Sequence, residues 1–438
     1  MKSSAPRQYA VIARTRSTAT EVLLLPAQDG WSLPGHPSGL TGLPDLHADI
    51  ADRFGLHVST LDCVGRDPRF FLHECVDGRA AKEGRWFPAR QLTPATMPDT
   101  GQRAALGRWL ADGETGDVPG EPPWTRLGWY SQAAEWATTH LRAAGYRRIG
   151  KPAQPGMRAW SYQMRLPALP HDVYFKASPS VYRHEAAVSL LLSQRFPNTV
   201  AKVIAVDPHR NWMLTEDFGA QRMPGSTEIT DAYMRVVPEL ARIQHGMAEE
   251  TETLIAAGCP DHRLEILPDL YDELVHDAPG LTAAQRTRLG AASVVLRESC
   301  RRLAAVGLPR TLVHLDVWRG NCLFGGRGPL IFDWAESVLG HPLVSLDVVL
   351  RDLRAAAPDD PEAERRVTDA YLAAWADAGV RVGAPQTVTQ ALEGARPVGI
   401  VSRALTWRAT LAGLSPDRAR PYRDTVAAQL SELLDADG

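Results

Sequence analysis

The stretch TLVHLDVWRGNCLFGGRGPLIFDW, residues 311 to 334, places His314, Asp316 and Asn321 in an H-x-D-x-x-x-x-N arrangement, and Asp333 closes it at the end of the apolar run PLIF. Phosphoryl transfer accounts for such a set: an acceptor hydroxyl must be held in line and relieved of its proton, a task for a carboxylate on a short, rigid loop. Asp316 suits it. Mg²⁺ takes oxygen ligands in octahedral geometry, usually one or two from side chains and the rest from phosphate and water. Asn321 and Asp333 are the oxygen donors for that ion, and His314 would hold the loop through hydrogen bonds rather than move protons. Lys176 ends the strand-like run VYF, and Glu185 follows nine residues later in a helical stretch. The cation would hold the α- and β-phosphates of a nucleotide and the carboxylate would fix its rotamer. Only five of the 48 basic residues are lysines, so one isolated within an apolar strand stands out.

The elements that must position these residues follow from periodicity and punctuation. Residues 311 to 334 read as a compact β segment whose Gly325-Gly326 pair makes a tight hairpin turn. Thr282 followed by Gln285 opens a long helix that ends before Gly307 and Pro309, and helices fill the chain from about 340 to 438. Upstream, WSYQMRL (160 to 166) and DVYFKAS (172 to 178) read as a strand pair. YRHEAAVSLLLSQRF (182 to 196) reads as a helix with Val188, Leu191 and Leu192 on its buried stripe. AKVIAVD (201 to 207) and NWMLTED (211 to 217) return to strand character. Gly, Pro and acids crowd into residues 111 to 124, which marks a domain boundary. Before it, the strand runs 9 to 15, 21 to 25, 56 to 64 and 69 to 76, with helices near 45 to 54 and 101 to 111, describe a small α+β unit.

Length and composition bound the rest. The 438 residues predict two or three compact units. With 44% apolar and 23% charged residues the chain is globular rather than disordered. Lys+Arg 48 against Asp+Glu 51 leaves no basic excess for nucleic acid or anionic lipid. The five widely spaced cysteines, without a C-x-x-C pair, argue against a disulfide framework or a zinc site. No signal-peptide h-region and no run of eighteen apolar residues is present, so a soluble, cytoplasmic protein is expected.

On VYFK, Glu185, HLDVWRGN and IFDW followed by GHP at residues 340 to 342, the region from about 130 to 438 resembles the aminoglycoside phosphotransferase family of small-molecule kinases. The resemblance implies an α+β, protein-kinase-like bilobal fold, with a small β-rich N-lobe and a helical C-lobe. It implies ATP or GTP with Mg²⁺ as cofactors and a small-molecule hydroxyl as acceptor. By it Asp316 is the catalytic base, Asn321 and Asp333 the magnesium ligands, Lys176 the phosphate clamp, and WMLTED the hinge whose backbone around Glu216 meets adenine. Two departures stand out. No G-x-G-x-x-G loop precedes VYFK, where only Gly150 and Gly156 are available. Trp318 also occupies the position two after the Asp, where many relatives carry a His or Lys that would neutralise the transferred phosphoryl group; Arg319 is the nearest substitute. Glu336, three residues after Asp333, is placed to assist the metal or to be solvated.

EVLLLPAQDGWSLPGHP followed by LHADIADRFGLHV is similar to the Nudix fold, whose box G-x5-E-x7-R-E-x-x-E-E-x-G collects divalent metal on a helix. Here Asp49 and Asp52 remain, but Ala48 and Arg53 stand where the box needs Arg and Glu, and the earlier Glu is missing. The expectation is a Nudix-like α/β domain over residues 1 to 118 that has lost hydrolase activity. A linker, leading helix and N-lobe follow over 119 to 218, and a C-lobe with the catalytic loop and substrate-binding helices over 219 to 438.

The leading reading is an ATP- and Mg²⁺-dependent O-phosphotransferase acting by direct in-line transfer on an antibiotic or a related metabolite. From 351 to 438 there are 13 acids and 11 arginines, too even a balance to demand a polycationic acceptor. Two rivals stand beside it: a catalytically silent nucleotide-binding scaffold, and a nucleotide-diphosphate hydrolase acting through the N-terminal domain. That domain has two further roles open to it, a homodimer contact or one wall of the acceptor pocket.

Overall fold

The computed structural model describes residues 8 to 435 apart from 17–18, 38–39, 41, 66, 115–118, 218, 220, 224–227 and 327. The boundary expected at residue 118 therefore falls outside the described residues. The chain divides into two compact units, Met1–Lys176 and Ala177–Gly438.

The first unit carries β1 (Gln8–Arg16), β2 (Ala19–Ala27), β3 (Gly30–Ser32), α1 (Leu43–Phe54), β4 (Val58–Val64), β5 (Arg69–Cys75), β6 (Arg85–Pro88), α2 (Thr100–Glu114) and α3 (Trp129–Ala143). The short strands β7 (Arg147–Arg148), β8 (Met157–Arg158), β9 (Ser161–Leu166) and β10 (Ala168–Leu169) follow, with β11 (Val173–Ala177) at its end. β1 to β6 form one sheet in the order β3-β2-β1-β5-β4, with β6 also on β2. Only β1 and β5 are parallel, with Ile12 opposite His73. Both faces of this sheet are covered. Val11, Ala13, Val22, Leu24 and Leu72 pack with Leu106 and Trp109 of α2, while Ala10, Ile12, Leu23 and Val58 pack with Ile50 and Phe54 of α1. Burial on two sides explains why these strands read as continuous apolar runs with little alternation. β3 and β6 were not legible as strands: three and four residues bounded by Gly30, Gly84 and Pro88 are too short to show a period.

The second unit opens with α4 (His184–Arg195), β12 (Val203–Asp207), β13 (Trp212–Glu216) and β14 (Gln221–Arg222), then turns helical through α5 (Ile229–Met247), α6 (Thr251–Ala256), α7 (Leu267–Asp277) and α8 (Ala283–Ala304). The helix expected from residue 182 starts at His184 instead, and Tyr182 closes a 3₁₀ segment over Ser180–Tyr182, after Pro179. Thr282 and Gln285 cap α8 reciprocally: Gln285 N–H donates to Thr282 Oγ1 at 3.2 Å and Thr282 N–H to Gln285 Oε1 at 2.9 Å. Four short strands come next, β15 (Thr311–His314), β16 (Cys322–Gly325), β17 (Gly328–Ile331) and β18 (Ser337–Gly340). α9 (Leu343–Ala356), α10 (Ala363–Asp377), α11 (Pro385–Ala412), α12 (Pro416–Ala419) and α13 (Thr425–Asp435) complete the chain. β15 pairs antiparallel with β18, and β16 with β17. Leu312, Val313, Ile331, Val338 and Leu339 of these strands lie in the same core as Leu240, Leu303, Leu346, Tyr371 and Val401 of the helices, so the β segment is anchored from beneath by the helical body. Among the described residues no helix is long and apolar enough to cross a membrane.

Candidate active site

Two strand pairings assemble the site. Antiparallel register sets His314 opposite Ser337 in one pair and Cys322 opposite Ile331 in the other. One step beyond the second pair, Phe332 N–H donates to Asn321 O at 3.1 Å. Asn321 and Asp333, far apart along the chain, thus leave the same end of one hairpin. Asp333 holds φ 63° and ψ 62°, the left-handed region, where a side-chain-bearing residue costs of order 1–3 kcal/mol unless its surroundings impose it.

The fully buried His314 ties these strands together. Asp316 N–H donates to its Nδ1 at 3.2 Å, which leaves the proton on Nε2 to be donated to Phe332 O at 3.0 Å. One imidazole therefore fixes both the start of the Asp316 loop and the residue before Asp333. The backbone N–H of His314 donates to Ser345 Oγ of α9 at 2.9 Å, and Trp334 lies 4.7 Å from its ring.

Asn321 closes the loop from the other side. Its Nδ2 donates to Asp316 O and to Asp316 Oδ2, both at 2.8 Å. The amide nitrogen is thereby engaged, and Oδ1 is the atom with which Asn321 can meet a cation. Asn321 Oδ1 and the Asp333 carboxylate are hard oxygen donors of the kind Mg²⁺ takes when phosphate and water complete its shell, so the residues fit the ion. Among the described residues no three His, Cys, Asp or Glu side chains gather into a metal cluster.

Asp316 Oδ1 meets a residue that the sequence did not single out. Arg403 Nη2 of α11 donates to it at 3.2 Å, and Arg403 Nε lies 3.7 Å from Glu336 Oε2. Arg319 faces elsewhere: its Nη2 lies 3.3 Å from Asp352 Oδ1, its N–H donates to Asp352 Oδ2 at 3.2 Å, and Tyr233 OH donates to the same oxygen at 2.5 Å. Arg403, Asp352 and Ser345 follow Asp316 by tens of residues and belong to no short motif, so no local signal could have found them. Trp318 is 42% exposed, and its ring occupies the space a Cβ at Gly320 would need, 2.3 Å away.

The remaining expected residues lie on the elements read for them. Lys176 is on β11 in the first unit. Glu185 is buried in the first turn of α4 and accepts from Ser178 Oγ at 2.7 Å. Glu216, on β13, pairs with Lys202 Nζ at 3.0 Å, while its N–H donates to Lys202 O at 2.9 Å. His341 is buried, and burial pushes its imidazole down to about 3. Cys322 next to Asn321 is a free, buried thiol whose acidity burial suppresses.

In the first unit the helix carrying Asp49 and Asp52 is α1. Asp49 Oδ2 accepts from His36 Nδ1 at 3.0 Å and from Arg53 Nη1 at 3.2 Å, and Arg53 also donates to Gly35 O at 2.7 Å. A carboxylate held by an internal guanidinium and an imidazole is poorly disposed to collect a divalent cation.

The hairpin thus brings Asn321 and Asp333 to the end at which the Asp316 loop is held, within a mixed α+β framework. Residues 173 to 385 match the APH phosphotransferase enzyme family, which supports a small-molecule kinase. No curated protein matches the chain. Among solved structures it is similar to a choline/ethanolamine kinase family protein from Mesorhizobium loti, at 20% identity and a TM-score of 0.46 over 69% of this chain and 95% of that one. It is similar to the choline kinase LicA from Streptococcus pneumoniae at 13% identity and a TM-score of 0.44, over 69% and 99%. It is also similar to APH(2″)-IIia, solved with GDP and kanamycin, at 16% identity and a TM-score of 0.48, over 69% and 98%.

Proposed function

We propose that the protein is an ATP- and Mg²⁺-dependent O-phosphotransferase that phosphorylates a hydroxyl of a small molecule, an antibiotic or a related metabolite, with Asp316 as base. The observation that carries this reading is the double hydrogen bond from Asn321 Nδ2 to the backbone and carboxylate of Asp316, inside the segment that matches a phosphotransferase family. The bond fixes the carboxylate, whose oxygens each have a further lone pair with which to accept the hydroxyl proton. Asn321 and Asp333 are the residues to hold the magnesium ion, which supplies charge neutralisation on the phosphates. His314 keeps the base loop and Asp333 in register. Lys176 is the phosphate clamp, Glu185 its supporting carboxylate, and the backbone around Glu216 the adenine contact. The N-terminal unit is read as Nudix-like and without hydrolase activity, a reading supported by the Asp49–Arg53 and Asp49–His36 contacts.

The test is a screen of hydroxylated antibiotics, nucleosides and sugars with MgATP, read by the mass gain of one phosphoryl group. At least one compound should gain it while ADP forms in equal amount. ADP formation that is indifferent to every acceptor but abolished by Asp49→Ala would instead support hydrolysis in the N-terminal unit.

A further inference from the structure

We propose that Arg403 is the cation that meets the transferring phosphoryl group, in the role that Trp318 cannot fill and Arg319 is turned away from; this rests on the phosphotransferase reading above. The acceptor hydroxyl sits within hydrogen-bond reach of Asp316, roughly 3 Å, and its oxygen attacks phosphorus from about 3–3.5 Å. The group in flight therefore passes within about 6.5 Å of the Asp316 carboxylate. Arg403 Nη2 is already 3.2 Å from Asp316 Oδ1. A guanidinium has five N–H donors in a planar fork. One is engaged by Asp316, and Nε faces Glu336, which leaves Nη1 and the second Nη2 hydrogen to turn towards phosphate oxygens.

Glu336 gives the arrangement its durability. During transfer the bond between the γ-phosphorus and the β–γ bridging oxygen breaks, and its electron pair leaves with ADP. A new bond forms from the acceptor oxygen to phosphorus, and the hydroxyl proton moves to Asp316. Asp316 is then neutral and holds Arg403 less strongly. Glu336, the second carboxylate beside Arg403, retains the guanidinium at the moment when negative charge is concentrated on the phosphoryl oxygens. Arg319 has no comparable freedom, because Asp352 holds both its backbone N–H and its guanidinium.

The test uses the full chain and aluminium fluoride, a mimic of the phosphoryl group in flight, with binding of MgADP measured by calorimetry in its presence and absence. Fluoride should tighten MgADP binding to the wild type, and Arg403→Ala should lose that gain by about 10²–10³-fold with MgADP affinity alone unchanged. Arg403→Lys should keep part of it, and Arg403→Gln, which preserves most of the side-chain volume, serves if the alanine variant does not fold. A wild-type complex without fluoride enhancement, equal enhancement in Arg403→Gln, or loss of enhancement in Arg319→Ala rather than at position 403 would each overturn the assignment. A wild type that does not bind MgADP at all would sink the phosphotransferase reading itself, which separates the two failures.

Discussion

Asp316 owes its usefulness to the residues on either side of its carboxylate, Asn321 on Oδ2 and Arg403 on Oδ1. Asn321→Ala removes the amide that holds both its backbone and its side chain and one candidate metal oxygen with it. Phosphoryl transfer should fall by at least about 10²-fold, measured as kcat for ADP formation, while the melting temperature changes little. A second residue-scale prediction concerns Glu74 in the first unit. Burial pushes its carboxyl up to about 7 from 4.5, although Ser131 and the backbone N–H groups of Gly128 and Tyr130 oppose the shift. Between pH 4.5 and 7 the folded chain keeps a proton that the unfolded chain has lost, so this group's contribution to stability falls as pH rises and levels off above 7. Glu74→Gln should remove that slope, gaining up to about 3 kcal/mol on the wild type near pH 7.5 relative to pH 4.5 in denaturant titrations.

The helices that carry the site's outer residues are held by close contacts with little slack. At Gly394 of α11 a Cβ would lie 3.0 Å from Ser299 O and 3.2 Å from Ser299 Cα of α8, backbone that cannot turn aside. Gly394→Ala should therefore destabilise by about 1–3 kcal/mol despite its better helix propensity, a sign that chemical denaturation reads directly. Arg403 lies two and a half turns further along α11, so the same variant should also weaken phosphoryl transfer. At this scale the sequence was most informative where chemistry and punctuation are local. The capping box at Thr282 is where it was read, and the hairpin read around Gly325-Gly326 is the β16–β17 pair, in which Gly325 pairs with Gly328 and residue 327 lies outside the described residues. The short strands β3 and β6 escaped because tertiary pairing with β2, not an internal period, makes them strands. The outer half of the site escaped for a related reason. Arg403, Asp352 and Ser345 reach the loop only because α9 and α11 pack against it, and helix packing leaves no spacing to read.

Across the whole molecule, burial keeps a set of imidazoles neutral: His47, His184 and His262 at about 4, His341 at about 3, and His73 well below its ordinary value. Above pH 6.5 their neutrality costs nothing in either state. As pH falls from 6.5 towards 4 the unfolded chain takes up protons that the folded chain refuses, so stability is lost in that window, by up to about 2 kcal/mol per group at pH 5. Scanning calorimetry from pH 7 to 4.5 should show a steadily falling melting temperature; a constant one would mean that these rings charge within the fold. The proposed function of the molecule reduces to one proton acceptor, and one comparison tests it most directly. MgATP turnover by the wild type should be compared with that of Asp316→Asn, first with water and then with any acceptor found by the mass screen. Replacing the carboxylate by an amide should slow ADP formation by about 10²–10⁴-fold and leave MgADP binding intact. Equal turnover by the two proteins would contradict the account.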